Sequence, residues 1–313
     1  MNLIMFKSWI LLVLKGMGMG AADVVPGVSG GTIAFITGIY EKLIYSLKSI
    51  NAKAVQVLFR EGIGPLWNRV NGNFLVAVFA GILISIFTLA SFLEKMLENN
   101  PVLVWSFFFG LILASAVYIS KEIKSWDIKK VIALLAGVGA SYLITQLTPA
   151  TTTEALWFVF LSGAVAICAM ILPGISGAFI LLLMGKYQFI LGAVNELNVI
   201  VLGTFAVGAV IGLLSFSHVL GWLLKHFHNI TISALAGIMI GSLFKIWPWK
   251  HTLSTFTDRH GETQPLVQEN VLPAQFEALT GNDAQLWPAL GLAVAGILLI
   301  LIIEWISTDK KTA

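Results

Sequence analysis

The chain has 313 residues, 58% hydrophobic and only 11% charged, with a mean hydropathy of +0.89. A soluble domain carries about 25% charged residues, so this composition excludes a soluble globular protein and identifies an integral membrane protein. The net charge of +3 gives no reason to expect nucleic-acid binding, because the basic residues sit in short loops beside apolar segments, and the single Cys168 excludes an intramolecular disulfide.

The chain opens with an apolar arm over roughly residues 3–22. Lys7 followed by an apolar run has the look of a signal peptide, but cleavage near Ala22 would sever the arm from the turn that follows it. That turn reads Ala22-Asp23-Val24-Val25-Pro26-Gly27-Val28-Ser29-Gly30-Gly31-Thr32, and a second apolar arm follows at about 33–47. Pro26 lacks an N–H and stops a helix, while the glycines allow sharp turning and close approach by a ligand. Ser29 and Thr32 are suited to cap a new helix, whose first amides attract an anion. A loop is expected at 48–72, then apolar segments at about 73–93, 101–120 and 131–147, and a short loop at 148–154. A second motif region spans 155–196, and apolar segments follow at about 198–224, 230–246 and 288–306. Each is long enough, or nearly so, to cross a hydrocarbon core of about 30 Å at about 1.5 Å per residue.

The second motif region repeats the first. At an offset of 147, Pro26, Gly27, Ser29 and Gly30 meet Pro173, Gly174, Ser176 and Gly177, and Ile33, Gly38 and Tyr40 meet Ile180, Gly185 and Tyr187. At an offset of 127, Gly81, Leu93, Leu97, Gly110 and Ser115 meet Gly208, Leu220, Leu224, Gly237 and Ser242. The chain is an internal duplication, divided into residues 1–150 and 151–313. Each half has one motif hairpin, re-entrant or fully crossing, plus three spans, so the count per half is odd and the copies lie upside down. The fold class is therefore an all-α integral membrane protein of two inverted repeats, the plan of secondary transporters. Basic residues place the N- and C-termini inside: Lys48, Lys53, Arg60, Arg69, Lys121, Lys124, Lys129, Lys130, Lys225, Lys310 and Lys311 share one side, against Lys95, Lys250 and Arg259. The 247–287 loop then lies outside the cytoplasm, long enough for a lid or a small helix. The tryptophans, including Trp105, Trp247, Trp249 and Trp287, fall near segment ends, as in an aromatic belt.

The first motif, with Leu172-Pro173-Gly174-Ile175-Ser176-Gly177 and Gly185-Lys186-Tyr187, resembles a bacterial membrane family once of unknown function and now described as polyprenyl-phosphate transporters. The resemblance spans essentially the whole chain. It implies return of undecaprenyl phosphate, the lipid carrier of envelope glycans such as peptidoglycan, across the cytoplasmic membrane, with no enzyme activity and no cofactor. The residues themselves suit such a cargo: paired anion-binding turns, one opening from each face, would hold a phosphate while the lipid tail stays in the bilayer.

The candidate phosphate-binding residues are Pro26, Gly27, Ser29, Gly30, Gly31, Thr32, Pro173, Gly174, Ser176 and Gly177. Close helix packing explains scattered glycines such as Gly81, Gly110 and Gly208, but not a proline, two glycines and a serine kept together twice. Asp23, a carboxylate in a membrane-embedded stretch, is read either as a proton-coupling group or as a cap on nearby amides, and Met170 stands in its place in the second copy. Lys186, Glu41 and Lys42 end the second arms, where they either meet a phosphate or snorkel to the interface. Lys15, within the first arm, faces a wet cavity or pairs with an acid. His218 reads as a hydrogen-bonded core residue. The coupling ion, proton or sodium, and any homo-oligomer are left open.

Two rival classes remain. The undecaprenyl-diphosphate phosphatases also use duplicated, inverted halves and a Pro-Gly-x-Ser turn, but an arginine follows their serine, where Gly30 and Gly177 stand here. Without it, charge on a transferring phosphoryl group lacks its stabiliser. Their paired glutamates are matched in spacing only by Glu94 and Glu98, which lie at a span's end. The other rival is a channel or carrier for a small anion held by the same turns.

Overall fold

The computed structural model describes residues 3–25, 27–257 and 263–312; Pro26, the expected helix-stopper of the first motif, lies outside them. The first arm is α1 (Leu3–Val24), followed by the short helix α2 (Gly30–Ile36) and by α3 (Tyr40–Lys48). The expected loop at 48–72 contains two short helices, α4 (Ala52–Glu61) and α5 (Ile63–Arg69). Asn51 starts α4 by accepting from the amides of Lys53 and Ala54. The first half ends with α6 (Gly72–Asn99), α7 (Pro101–Glu122) and α8 (Ile128–Gln146). The second half runs α9 (Leu156–Ile171), α10 (Gly177–Leu183), α11 (Tyr187–Asn195), α12 (Val199–His226) and α13 (His228–Ser242). An antiparallel hairpin, β1 (Lys250–Thr257) and β2 (Thr263–Asn270), then precedes α14 (Pro273–Thr280) and α15 (Leu286–Thr312).

Among the described residues, five helices are long and apolar enough to cross a bilayer: α6, α7, α8, α12 and residues Leu286–Glu304 of α15. The pair α10–α11, bent by 106°, has the composition of a sixth, broken span. The molecule is an all-α membrane protein with one small hairpin at an end. Its long helices turn large apolar side chains such as Phe87, Leu135 and Val207 outward, where lipid takes the place of water.

The packing repeats as the sequence does. α1 lies along α6 as α9 lies along α12. A Cβ added at Gly16 would sit 2.2 Å from the Val78 carbonyl oxygen, and one at Gly163 2.3 Å from that of Phe205. Likewise Gly81 abuts Val13 at 2.1 Å, and Gly208 abuts Phe160 at 2.0 Å. These partners correspond at the same offsets of 147 and 127. The third long helices join at an offset of 159, with Gly137 against Ala234 and Gly296 against Phe107. Backbones in contact gain dispersion where lipid offers no hydrophobic drive between helices, which is why these positions carry no side chain. The halves also interlock: α7 packs on α15 and α8 on α13. The largest core cluster accordingly takes Val28, Ile44 and Ile112 from one half and Ile171, Leu224 and Met239 from the other.

One end of the bundle carries the hairpin. Trp247 Nε1 donates to Val271 O (2.9 Å), Trp249 Nε1 to Ala284 O (2.8 Å) and Asn270 Nδ2 to Phe244 O (2.7 Å). Val102, Trp249, Val271, Phe276 and Ala284 form a separate apolar cluster there. The described residues of the 247–287 segment thus form a folded cap, and Trp249 is a core residue of it rather than part of an aromatic belt. At the opposite, far end, Asn71 Nδ2 donates to Ser46 Oγ (3.0 Å) and Glu41 meets His228.

Candidate substrate site

The two motifs bend alike. Gly27 has φ +85 and Gly174 φ +89, a left-handed conformation that side chains resist. Ser29 then caps α2, accepting from Gly31 N, and Ser176 caps α10, accepting from Phe179 N. Buried Pro173 marks the second bend, and Gly177 opens α10 against the Ala166 carbonyl.

The amides of the first bend are largely taken. Gly30 N donates to Asp23 Oδ1 (2.7 Å), Gly31 N to Ser29 Oγ (3.0 Å) and Thr32 N to Ser29 O (2.9 Å). Asp23 therefore makes the capping contact. The bends also bind each other: Ser29 Oγ donates to Met170 O (2.8 Å), and Gly174 N donates to Thr32 Oγ1 (2.9 Å). Between them is a void of about 10 Å³, bordered by Gly27, Gly174, Ser176, Phe179 and Lys245. That is room for about one water, not for a phosphate.

Beside the void lies a cavity of about 400 Å³ at the hairpin end, and Thr145, Phe179 and Lys245 line both. Lys245 follows the end of α13. A Cβ on Gly27 would come within 2.9 Å of its Cγ, and its Nζ lies 4.2 Å from the Phe179 ring centre. Lys250, the first residue of β1, also lines the cavity, with Nζ 3.9 Å from the Trp105 ring centre. Burial, and then the neighbouring Lys245 charge, hold the Lys250 ammonium well below the usual lysine range. Among the described residues, neither lysine has a carboxylate at ion-pair distance; Glu269, at the cavity wall, is held by His251 at 3.2 Å.

The other expected charges lie elsewhere. Lys15 Nζ donates to Thr37 O (2.5 Å), at the carbonyl end of α2. Lys42 stacks over Phe74, and Glu41 pairs with His228 at 2.7 Å. Lys186 is only 1% exposed; its Nζ donates to Thr152 O (3.2 Å) between the rings of Phe158 and Phe189. It is buried rather than snorkelling. His218 bonds the Leu214 carbonyl of its own helix, and Glu94 and Glu98 are exposed. Lys245 and Lys250 escape a reading by motif, although a lysine just past an apolar run, with no acid nearby in sequence, is a usable signal.

Residues 19–264 match the profile of a family described as undecaprenyl phosphate translocase-like. The chain belongs to this family. It is 48% identical over 297 residues, 95% of this chain and 96% of the relative, to a polyprenyl-phosphate transporter of Vibrio cholerae serotype O1. A polyprenyl-phosphate transporter of Staphylococcus aureus is 30% identical over 259 residues, 77% of this chain and 87% of the relative. Both relatives are named as transporters and neither as an enzyme, in keeping with the glycines that stand where a phosphatase has its arginine. No solved structure matches.

Proposed function

We propose that the protein is a secondary transporter that returns a polyprenyl phosphate, undecaprenyl phosphate in the first instance, to the cytoplasmic leaflet for envelope glycan synthesis. Kinship with the two named transporters supports the lipid class. The observation that carries the reading is the meeting of the two glycine bends beneath a cavity open at one end of the bundle only a few side chains away. In this reading the motif arms are re-entrant from opposite faces, the hairpin end lies outside the cytoplasmic membrane, and both termini lie inside. The basic residues at the far end support that orientation. The bends are closed in this conformation, so the headgroup passes only when they part, and Gly27, Gly174 and Ser176 then line its path. The tail remains in lipid, so the spans need few polar residues.

The test is leaflet exchange of a labelled polyprenyl phosphate in liposomes, with and without a pH or sodium gradient. Exchange that depends on the protein supports the proposal. Release of phosphate from undecaprenyl diphosphate would favour the enzyme class instead, and flux of chloride or inorganic phosphate without lipid exchange would favour an anion carrier.

A further inference from the structure

We propose that Lys245 and Lys250 form the loading site for the lipid's phosphate, gripping the headgroup in the hairpin-end cavity before the bends part. The assignment rests on the transport reading above. A phosphate monoester carries about −1.5 to −2 charges at neutral pH, and two lysines in the lining of one cavity match it. Cations withdrawn from water are costly unless something offsets their charge, and among the described residues no carboxylate does so here. Each instead lies over an aromatic face, Phe179 for Lys245 and Trp105 for Lys250, a weak partner that an anion readily outcompetes. Space is sufficient at about 400 Å³, and Leu182 and Leu253 in its lining give a prenyl chain an apolar way out. Lys245 also borders the void at the bends, so a phosphate on its ammonium already stands at the closed passage. The depressed basicity of Lys250 agrees with a site built for a ligand that restores its charge. Among the described residues, Glu269 is the one acid on the cavity lining, and its bond to His251 draws it aside.

The experiment uses the purified full-length chain in detergent with three probes: farnesyl phosphate, farnesol and inorganic phosphate, each titrated by calorimetry. Lys245→Gln and Lys250→Gln should each weaken farnesyl phosphate about tenfold or more, while Lys250→Arg keeps most of the affinity and farnesol binding does not change. In the wild-type chain, farnesyl phosphate should shield both lysines from an amine-reactive reagent read by peptide mass spectrometry, a measurement that needs no folded variant. Farnesyl phosphate affinity within twofold of wild type in a folded double-glutamine variant, or unshielded lysines, would overturn the assignment and leave the transport reading standing. Binding of inorganic phosphate through these lysines with no binding of farnesyl phosphate would overturn both the lipid assignment and that reading.

Discussion

Gly27 combines two constraints that substitution can separate. Its φ of +85 costs an alanine about 1–2 kcal/mol, and its missing Cβ leaves room for the Lys245 stem. Gly38 has φ +70, but a methyl group there would have nothing within 4 Å. Gly27→Ala and Gly38→Ala should therefore lose similar thermal stability, while only Gly27→Ala displaces Lys245 and abolishes leaflet exchange. Asp23 gives a second contrast. Asn at 23 still offers an oxygen to Gly30 N, so Asp23→Asn should fold normally, whereas Asp23→Ala should lose about 1 kcal/mol, the usual worth of a cap, in a denaturation series. Lys250 gives a third. Its pKa is depressed, so its charge is lost as pH rises through that lowered value, sooner than for an ordinary lysine. Farnesyl phosphate affinity should rise as the phosphate takes its second charge near pH 6 and fall again on the alkaline side. Among the described residues, Tyr142, Lys245 and Glu269 also line the cavity and His251 bonds Glu269, and all remain in Lys250→Arg. That variant keeps its charge throughout and should move the alkaline fall to higher pH.

At the scale of elements, the glycines divide into those that bend the chain and those that bring helices together. Gly208 lets α12 touch the Phe160 carbonyl of α9, while Gly203, five residues earlier on the same helix, has nothing within 4 Å. Gly208→Val should abolish accumulation of folded protein, and Gly203→Val should leave it near wild type, read by fluorescence-detected size exclusion. The spans and the duplication were legible because both leave periodic, local marks: long apolar runs, and Pro-Gly-x-Ser-Gly recurring at a fixed offset. The helices α4 and α5 were not, because short amphipathic turns have no span-length signal, and their exposed Phe59 and Ile63 read as loop hydrophobics. Nor could the sequence show that the amides of the first bend are used up. Their acceptors include Asp23 seven residues away, and the bend is tied to Met170 and Gly174 more than 140 residues away. Lys245 and Lys250 lie close in sequence, but the contacts of Lys245 with Gly27 and Phe179, and of Lys250 with Trp105, join residues far apart in the chain.

Across the whole molecule, the two halves are alike in packing but not in what their bends touch. Gly27 meets Lys245, and Gly174 meets Met239 and Ser242, so both bends lean on α13 or the turn just after it. The duplication makes α7 the counterpart of α13, with Ser115 and Tyr118 standing where Ser242 and Lys245 do. Exchanging the conformations of the halves would move both bends onto α7 and open the cavity at the far end, the usual alternation of inverted repeats. Tyr118 brings no charge to that second position, so in the proposed cycle the grip of Lys245 would have no counterpart there and the headgroup would be released. The far end is now shut where α3 meets α12, with Gly221 against Lys48, and where Glu41 bonds His228 at 2.7 Å. In the proposed cycle, opening would separate these contacts. Glu41→Cys with His228→Cys, in a Cys168→Ser background and joined by a short thiol crosslinker, should stop leaflet exchange yet leave farnesyl phosphate binding at the hairpin end intact. Reversal of the crosslink should restore exchange. Unimpeded exchange in the fully crosslinked protein would mean that the far end does not open between α3 and α13, and the passage would have to be sought elsewhere.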